Sequence, residues 1–221
     1  MAFELVIFDC DGVLVDSELL SNRILAERLT AIGLPTTTED SVRDYMGRSL
    51  AAAIADAEQR LGHALPDDFA EAYYEETFAA FARELEPVAG IHAALDEIAL
   101  PSCVASSGPH AKIRHSLGVT GLLERFDGRI FSAADVEHGK PAPDLFLYAA
   151  ARMGATPERC VVVEDAPAGV QAGRAAGMTV LGYAGHTDAA LLRAAGAETF
   201  TRMTELPALI NGSAPRSAAG R

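Results

Sequence analysis

Cysteine is scarce: Cys10, Cys103 and Cys160 are the only three in 221 residues. An odd number without the spacing of a metal knuckle or a disulfide framework excludes a disulfide-stapled scaffold. Each lies in or beside an apolar run, so buried thiols are expected. Long apolar runs are also missing, which argues against a membrane anchor. The opening MAFELVIF has no basic residue ahead of its apolar stretch, so no signal peptide is indicated and a cytoplasmic location is expected. Positive charge is short as well, with 18 Lys and Arg against 31 Asp and Glu and a net charge of −13. Such a field repels polyanions, and no basic stripe with interleaved aromatics appears, so nucleic acid is not expected as a partner. A small anion stays open, because one lysine and one metal ion can hold a phosphate inside an acidic molecule.

What is present is a chain 49% apolar, enough for a sizeable core. Its periodicity divides it. ELVIF, from Glu4 to Phe8, is a short apolar run ending in turn residues, as expected of a strand buried on both faces. From about Ser17 to Leu85 the pattern is helical: Leu25, Leu29 and Ile32, then Ala53, Ala57 and Leu61, then Tyr73, Thr77 and Phe81, with Gly33 and Gly62 as stops. Beyond Pro87 short apolar strands alternate with helices: strands at 102–105, 129–131, 160–163 and 179–181, helices at 91–100, 111–117, 144–153 and 169–176. That alternation predicts an α/β fold with a doubly wound parallel sheet. The expected domains are an α/β core of residues 1–15 and 87–210, a helical bundle of 16–86 inserted after the first strand, and a disordered tail of 211–221.

The stretch FDCDGVLVDSE places Asp9 and Asp11 where the first strand ends. Two carboxylates this close raise one another's pKa unless a cation or shared proton relieves them. A solvated Asp-Gly turn is the plain alternative. In a doubly wound sheet, ligands bind outside the carboxyl ends of the strands, where strand order reverses. That rule gathers Asp9 and Asp11, Ser106-Ser107-Gly108 after SCVA, Lys140 in GKPAPD, and Glu164-Asp165 after CVVV. Each alone has a structural explanation as a cap, a surface lysine or a helix-start acid. Together they supply carboxylates for a hard cation, a lysine and a hydroxyl for phosphate oxygens, and backbone N–H groups at a Ser-Gly turn. Magnesium would relieve the repulsion between Asp9 and Asp11.

Four motifs in order, DCDGV at 9–13, VASSG at 104–108, GKPAPD at 139–144 and VEDAPAGVQAG at 163–173, resemble the haloacid dehalogenase-like hydrolase superfamily, in its phosphatase branch with a helical cap inserted after the first motif. PSCVASSGPHAKIRHSLG and FSAADVEHGKPAPD are most similar to bacterial sugar-phosphate phosphatases of the 6-phosphogluconate phosphatase type, with β-phosphoglucomutase a more distant relative. The resemblance implies Asp9 as nucleophile forming an aspartyl-phosphate, and Asp11 as general acid and then base, kept protonated by neighbouring anions. It implies magnesium held by the Asp9 carboxylate, the Asp11 carbonyl and Asp165, with Glu164 a further ligand or a supporting group. Ser106 and Lys140, with the N–H groups of Ser107 and Gly108, would meet the phosphoryl oxygens. Specificity would reside in the cap, where Arg48, in Met46-Gly47-Arg48-Ser49, is a candidate contact to the substrate's far end or a plain surface arginine. His110, Lys112 and His115 either line the entrance or solvate a helix, and the solvated reading is favoured. Ser21 stands where β-phosphoglucomutase carries a histidine, which favours a phosphatase over a mutase; a non-catalytic phosphate-ester binder is a further alternative. The expected partner is a small phosphorylated metabolite, and a monomer is expected.

Overall fold

A computed structural model of the chain describes residues 2–212. The chain forms two compact units, one of Met1–Val15 with Pro87–Arg221 and one of Asp16–Glu86.

The first unit is built on six parallel strands: β1 (Leu5–Phe8), β2 (Ser102–Ser106), β3 (Ile130–Ser132), β4 (Cys160–Glu164), β5 (Thr179–Tyr183) and β6 (Glu198–Phe200). Their order is β3-β2-β1-β4-β5-β6. The chain steps outward from β1 to β3, returns to the other side of β1, and steps outward again, so the order reverses between β1 and β4. Ile7 is registered with Cys103 on one side and Val162 on the other. All four β1 residues are buried, which is why LVIF reads as a continuous apolar run. Leu5 and Ile7 share one core with Leu145 and Phe146 of α8 (Asp144–Arg152) and Val170 of α9 (Pro167–Ala175). Phe8 meets Phe126 of α7 (Leu123–Phe126) edge-on, ring centroids 6.1 Å apart. The three thiols are buried and unpaired with one another.

The predicted strands and helices of this unit are present with ends shifted by one to three residues; α5 (Ile91–Glu97) and α6 (His110–Val119) complete those read from the sequence. Four elements were not legible, among them the four-residue α7. β6 has an exposed Glu198 and buries only Phe200, so it shows neither an apolar run nor alternation long enough to count. Helix α10 (Ala189–Ala195) is short and buries Leu192, and α11 (Leu206–Gly212) takes in Asn211 and Gly212, the first residues of the expected tail. The rest of that tail lies outside the described residues.

The second unit is α1 (Glu18–Ala31), α2 (Thr38–Tyr45), α3 (Leu50–Leu61) and α4 (Phe69–Glu84). The predicted stripes point inward: Leu25 and Leu29, Ala53 and Ala57, and Tyr73, Thr77 and Phe81 are all buried. Thr37 and Asp40 form a capping box at the start of α2, and Gly62 ends α3 in the left-handed region. Among the described residues no helix is long and apolar enough to cross a membrane.

Candidate active site

The strand order brings together residues far apart in sequence at the carboxyl ends of β1, β2 and β4. Asp9 follows β1, and its N–H donates to Val163 O of β4 at 2.9 Å. The chain then reverses within a few residues: Leu14 and Val15 both donate to Cys10 O, and Gly12 donates to Val15 O. Gly12 takes φ +72°, and a Cβ there would lie 2.0 Å from Asp165 Oδ2. No other residue lets the Asp165 carboxylate approach the β1 loop this closely.

Lys140, in the loop between β3 and α8, is the centre of the charge network. Its ammonium donates to Asp9 Oδ1 at 2.7 Å, Glu164 Oε1 at 2.7 Å and Ala105 O at 3.1 Å, so all three of its N–H groups have acceptors. It also lies 4.9 Å from the Phe146 ring centroid. Its side chain is only 5% exposed. Burial favours the neutral amine, but the adjacent Asp9 and Glu164 carboxylates outweigh it and keep Lys140 protonated, above the ordinary lysine value. Asp9 is raised to about 7: burial is the main cause, Lys140 opposes it, and the Glu164 and Asp11 charges add to it.

The two adjacent acids after CVVV have separate places. Glu164 is spent on structure, with Oε1 on Lys140 and Oε2 accepting the N–H groups of Asp165 and Ala166 at 2.9 and 3.0 Å. It therefore anchors Lys140. Asp9, Glu164 and Asp165 bring carboxylate oxygens within 4.8 Å of one another, and all three are buried.

Ser106 ends β2 and is buried; its Oγ accepts the Gly108 N–H at 3.2 Å. A phosphate oxygen at this turn would have to share that donor. Ser107 is exposed. The Gly108 carbonyl is braced by Ser132 Oγ of β3 at 2.7 Å, a buried serine that the sequence did not single out.

One expectation is corrected. Lys112, favoured as a solvated residue, reaches the site: its Nζ donates to Asp11 Oδ2 at 2.8 Å, with side chains 12% and 18% exposed. Asp11, expected among anions and acting electrostatically on Asp9, thus also has a cation at hydrogen-bond distance. The signal was present, because a residue in the first turn of α6 leans back toward the helix start and hence toward the strand ends. His110 pairs with Asp135 at 2.9 Å at the surface, in keeping with the solvated reading. Arg48 has partners within its own unit, donating to the carbonyls of Asp44 and Ala52 and lying 5.8 Å from the Tyr45 ring centroid.

A buried carboxylate locked by a lysine and flanked by further acids lies at the switch point of a doubly wound sheet, where such folds bind their ligands. A family model described as haloacid dehalogenase-like hydrolase matches residues 3–177. The 6-phosphogluconate phosphatase of Escherichia coli (strain K12) is 35% identical over 207 residues, covering 93% of this chain and 94% of that protein. The phosphorylated carbohydrates phosphatase of Thermotoga maritima is 30% identical over 211 residues, covering 92% and 96%. A solved haloacid dehalogenase-like protein from Agrobacterium tumefaciens str. C58 has a TM-score of 0.83 at 35% identity, over 96% of this chain and 99% of that one. The chain belongs to the haloacid dehalogenase-like hydrolase family. Within that family it is a phosphoric monoester hydrolase.

Proposed function

We propose that the chain is a magnesium-dependent phosphatase of a phosphorylated sugar or sugar acid, working through an aspartyl-phosphate on Asp9. The observation that carries this reading is the buried Asp9 carboxylate, fixed through Oδ1 by Lys140 beside Asp165. A carboxylate so held has little freedom left to lose when it attacks phosphorus in line with the leaving oxygen. In the first step an Asp9 oxygen bonds to phosphorus as the bond to the leaving oxygen breaks, and Asp11 gives that oxygen a proton. In the second, Asp11 takes a proton from water, the water oxygen bonds to phosphorus, and Asp9 departs as carboxylate. Since every Lys140 N–H is already engaged, its contribution to phosphoryl oxygens is charge more than a new hydrogen bond; Ser106 and the N–H of Ser107 complete the cradle with Gly108.

The residues fit a divalent hard cation. Asp9, Glu164 and Asp165 bring three buried carboxylates together, and Lys140 is the ammonium within hydrogen-bond distance of two of them. Asp9 and Asp165 with the Asp11 carbonyl form the oxygen-only set that would hold the divalent ion. When bound, the ion would add positive charge for the phosphoryl oxygens. Because Asp9 sits near 7 with Lys140 as its cationic partner, protons would compete with a metal ion for the same oxygens. Magnesium is therefore expected to raise the melting temperature at pH 8 and to bind roughly 30-fold more weakly at pH 5.5. Equal stabilisation at both pH values would remove Asp9 from the ligand set.

The substrate class is supported by the relatives that act on phosphorylated carbohydrates, and specificity is assigned to residues 16–86, with Arg48 contacting the substrate's far end. The test is phosphate release from 6-phosphogluconate, hexose phosphates and hexitol phosphates, with magnesium and then EDTA. Asp9→Asn is expected to lower kcat by about 10⁴-fold or more, and Arg48→Ala to raise KM for its best substrate with kcat retained. Binding without release by the wild type would turn the reading to a phosphate-ester binder.

A further inference from the structure

Lys112 lies outside the four motifs at 9–13, 104–108, 139–144 and 163–173, yet its stem and ammonium bridge two of them. A Cβ on Gly108 would sit 3.5 Å from Lys112 Cδ, so the side chain crosses the Ser-Gly turn at van der Waals distance. Its Nζ then ends on Asp11 Oδ2 at 2.8 Å, with both groups largely withdrawn from water. The backbone under it is held as well, since Ser116 Oγ donates to the Lys112 carbonyl at 2.9 Å.

An ammonium has three donors and no acceptor. When Asp11 is a neutral acid in this contact, its carbonyl oxygen is the stronger acceptor, so the bond to Oδ2 favours the acid proton on Oδ1. We propose that Lys112 is a positioning residue for the leaving-group step: it fixes the rotation of the Asp11 carboxyl and assigns its transferable proton to Oδ1. The proposal rests on the phosphatase reading. As the phosphorus–oxygen bond breaks, its electron pair goes to the leaving oxygen, which takes the Oδ1 proton, and Asp11 is left a carboxylate still held by Lys112. In the hydrolytic step the same oxygen receives the proton from water, which restores the starting acid.

This role makes a demand that a purely structural lysine would not. The proton matters greatly for an alkoxide leaving group and little for p-nitrophenolate, which departs unaided. The experiment compares kcat for p-nitrophenyl phosphate and for the sugar phosphate that the panel turns over fastest, in wild type, Asp11→Asn, Lys112→Met and Lys112→Arg. Lys112→Met is expected to lose at least about tenfold more on the sugar phosphate than on the aryl ester, in the same sense as Asp11→Asn. Lys112→Arg, whose guanidinium also only donates, is expected to recover most of the difference. Should the methionine variant not fold, Lys112→Gln makes the same comparison, because its amide brings an acceptor oxygen that releases the constraint. Equal losses on both esters, or a change in KM alone, would overturn the proposal. A wild type that releases phosphate from neither ester would overturn the phosphatase reading, and this proposal with it.

Discussion

Lys140→Met is expected to abolish turnover and to destabilise the fold by about 3–5 kcal/mol, the usual cost of removing one partner from a buried ionic cluster. For a chain of this size that is roughly 10 °C or more in melting temperature. The lysine is 5% exposed and faces two carboxylates that are themselves buried. Methionine fills the space beside Phe146 and leaves Asp9 and Glu164 with no cation, so the loss is electrostatic. Its pH dependence identifies it. Asp9 is at about 7 with Lys140 in place, and without that ammonium it rises further. An acid whose value is higher folded than unfolded binds more protons in the folded state, so its contribution is fully present below about pH 4 and is lost as pH climbs through the folded value. The deficit of Lys140→Met relative to wild type should therefore be greatest at pH 8 and shrink at pH 5, and Lys140→Met/Glu164→Gln should recover part of it. Thermal melts across that range are the measurement. A deficit constant with pH would mean that Lys140 acts through packing.

The same network shows what the sequence could disclose. Asp9, Ser106, Lys140 and Glu164-Asp165 were legible because each closes or follows a strand-like run, and the chirality of strand–helix connections puts all such ends on one rim. What escaped was which group faces which. Glu164 and Asp165 are adjacent in sequence, but successive side chains at a strand end point apart. One therefore turns to Lys140 and the other lies against Gly12, a division that spacing alone does not reveal. Lys112 was harder, because its meaning depends on a contact across 101 residues between the first turn of α6 and the β1 loop. β6 left no signal because an edge strand covered on one side needs only one buried residue, Phe200. Helix stripes in the inserted unit were easy for the opposite reason, since their partners are local and the period is fixed by the helix.

Gly169→Ala is the second large effect, and here the sign runs against helix propensity. In the middle of a helix, glycine to alanine ordinarily stabilises by about 0.5–1 kcal/mol. At Gly169 of α9, however, a Cβ would lie 1.7 Å from Glu164 Oε1, 2.0 Å from its Cδ and 2.5 Å from Oε2. Glu164 is 1% exposed and held on both oxygens, so it has no free end to swing aside. The methyl group must expel the carboxylate, which releases Lys140 and with it the orientation of Asp9. The expected result is a net destabilisation of about 1–3 kcal/mol and a fall in kcat of about 100-fold. Gly173→Ala, one turn along the same helix, separates packing from catalysis: its Cβ would meet Val180 Cγ2 at 2.7 Å, an apolar clash expected to lower the melting temperature with a much smaller effect on kcat. Gly169→Ala/Glu164→Asp, which shortens the acid by one methylene, should regain part of the lost activity if the steric account is right. An active and more stable Gly169→Ala would mean that Glu164 can leave its place without disturbing Asp9, and that Lys140 alone orients that carboxylate.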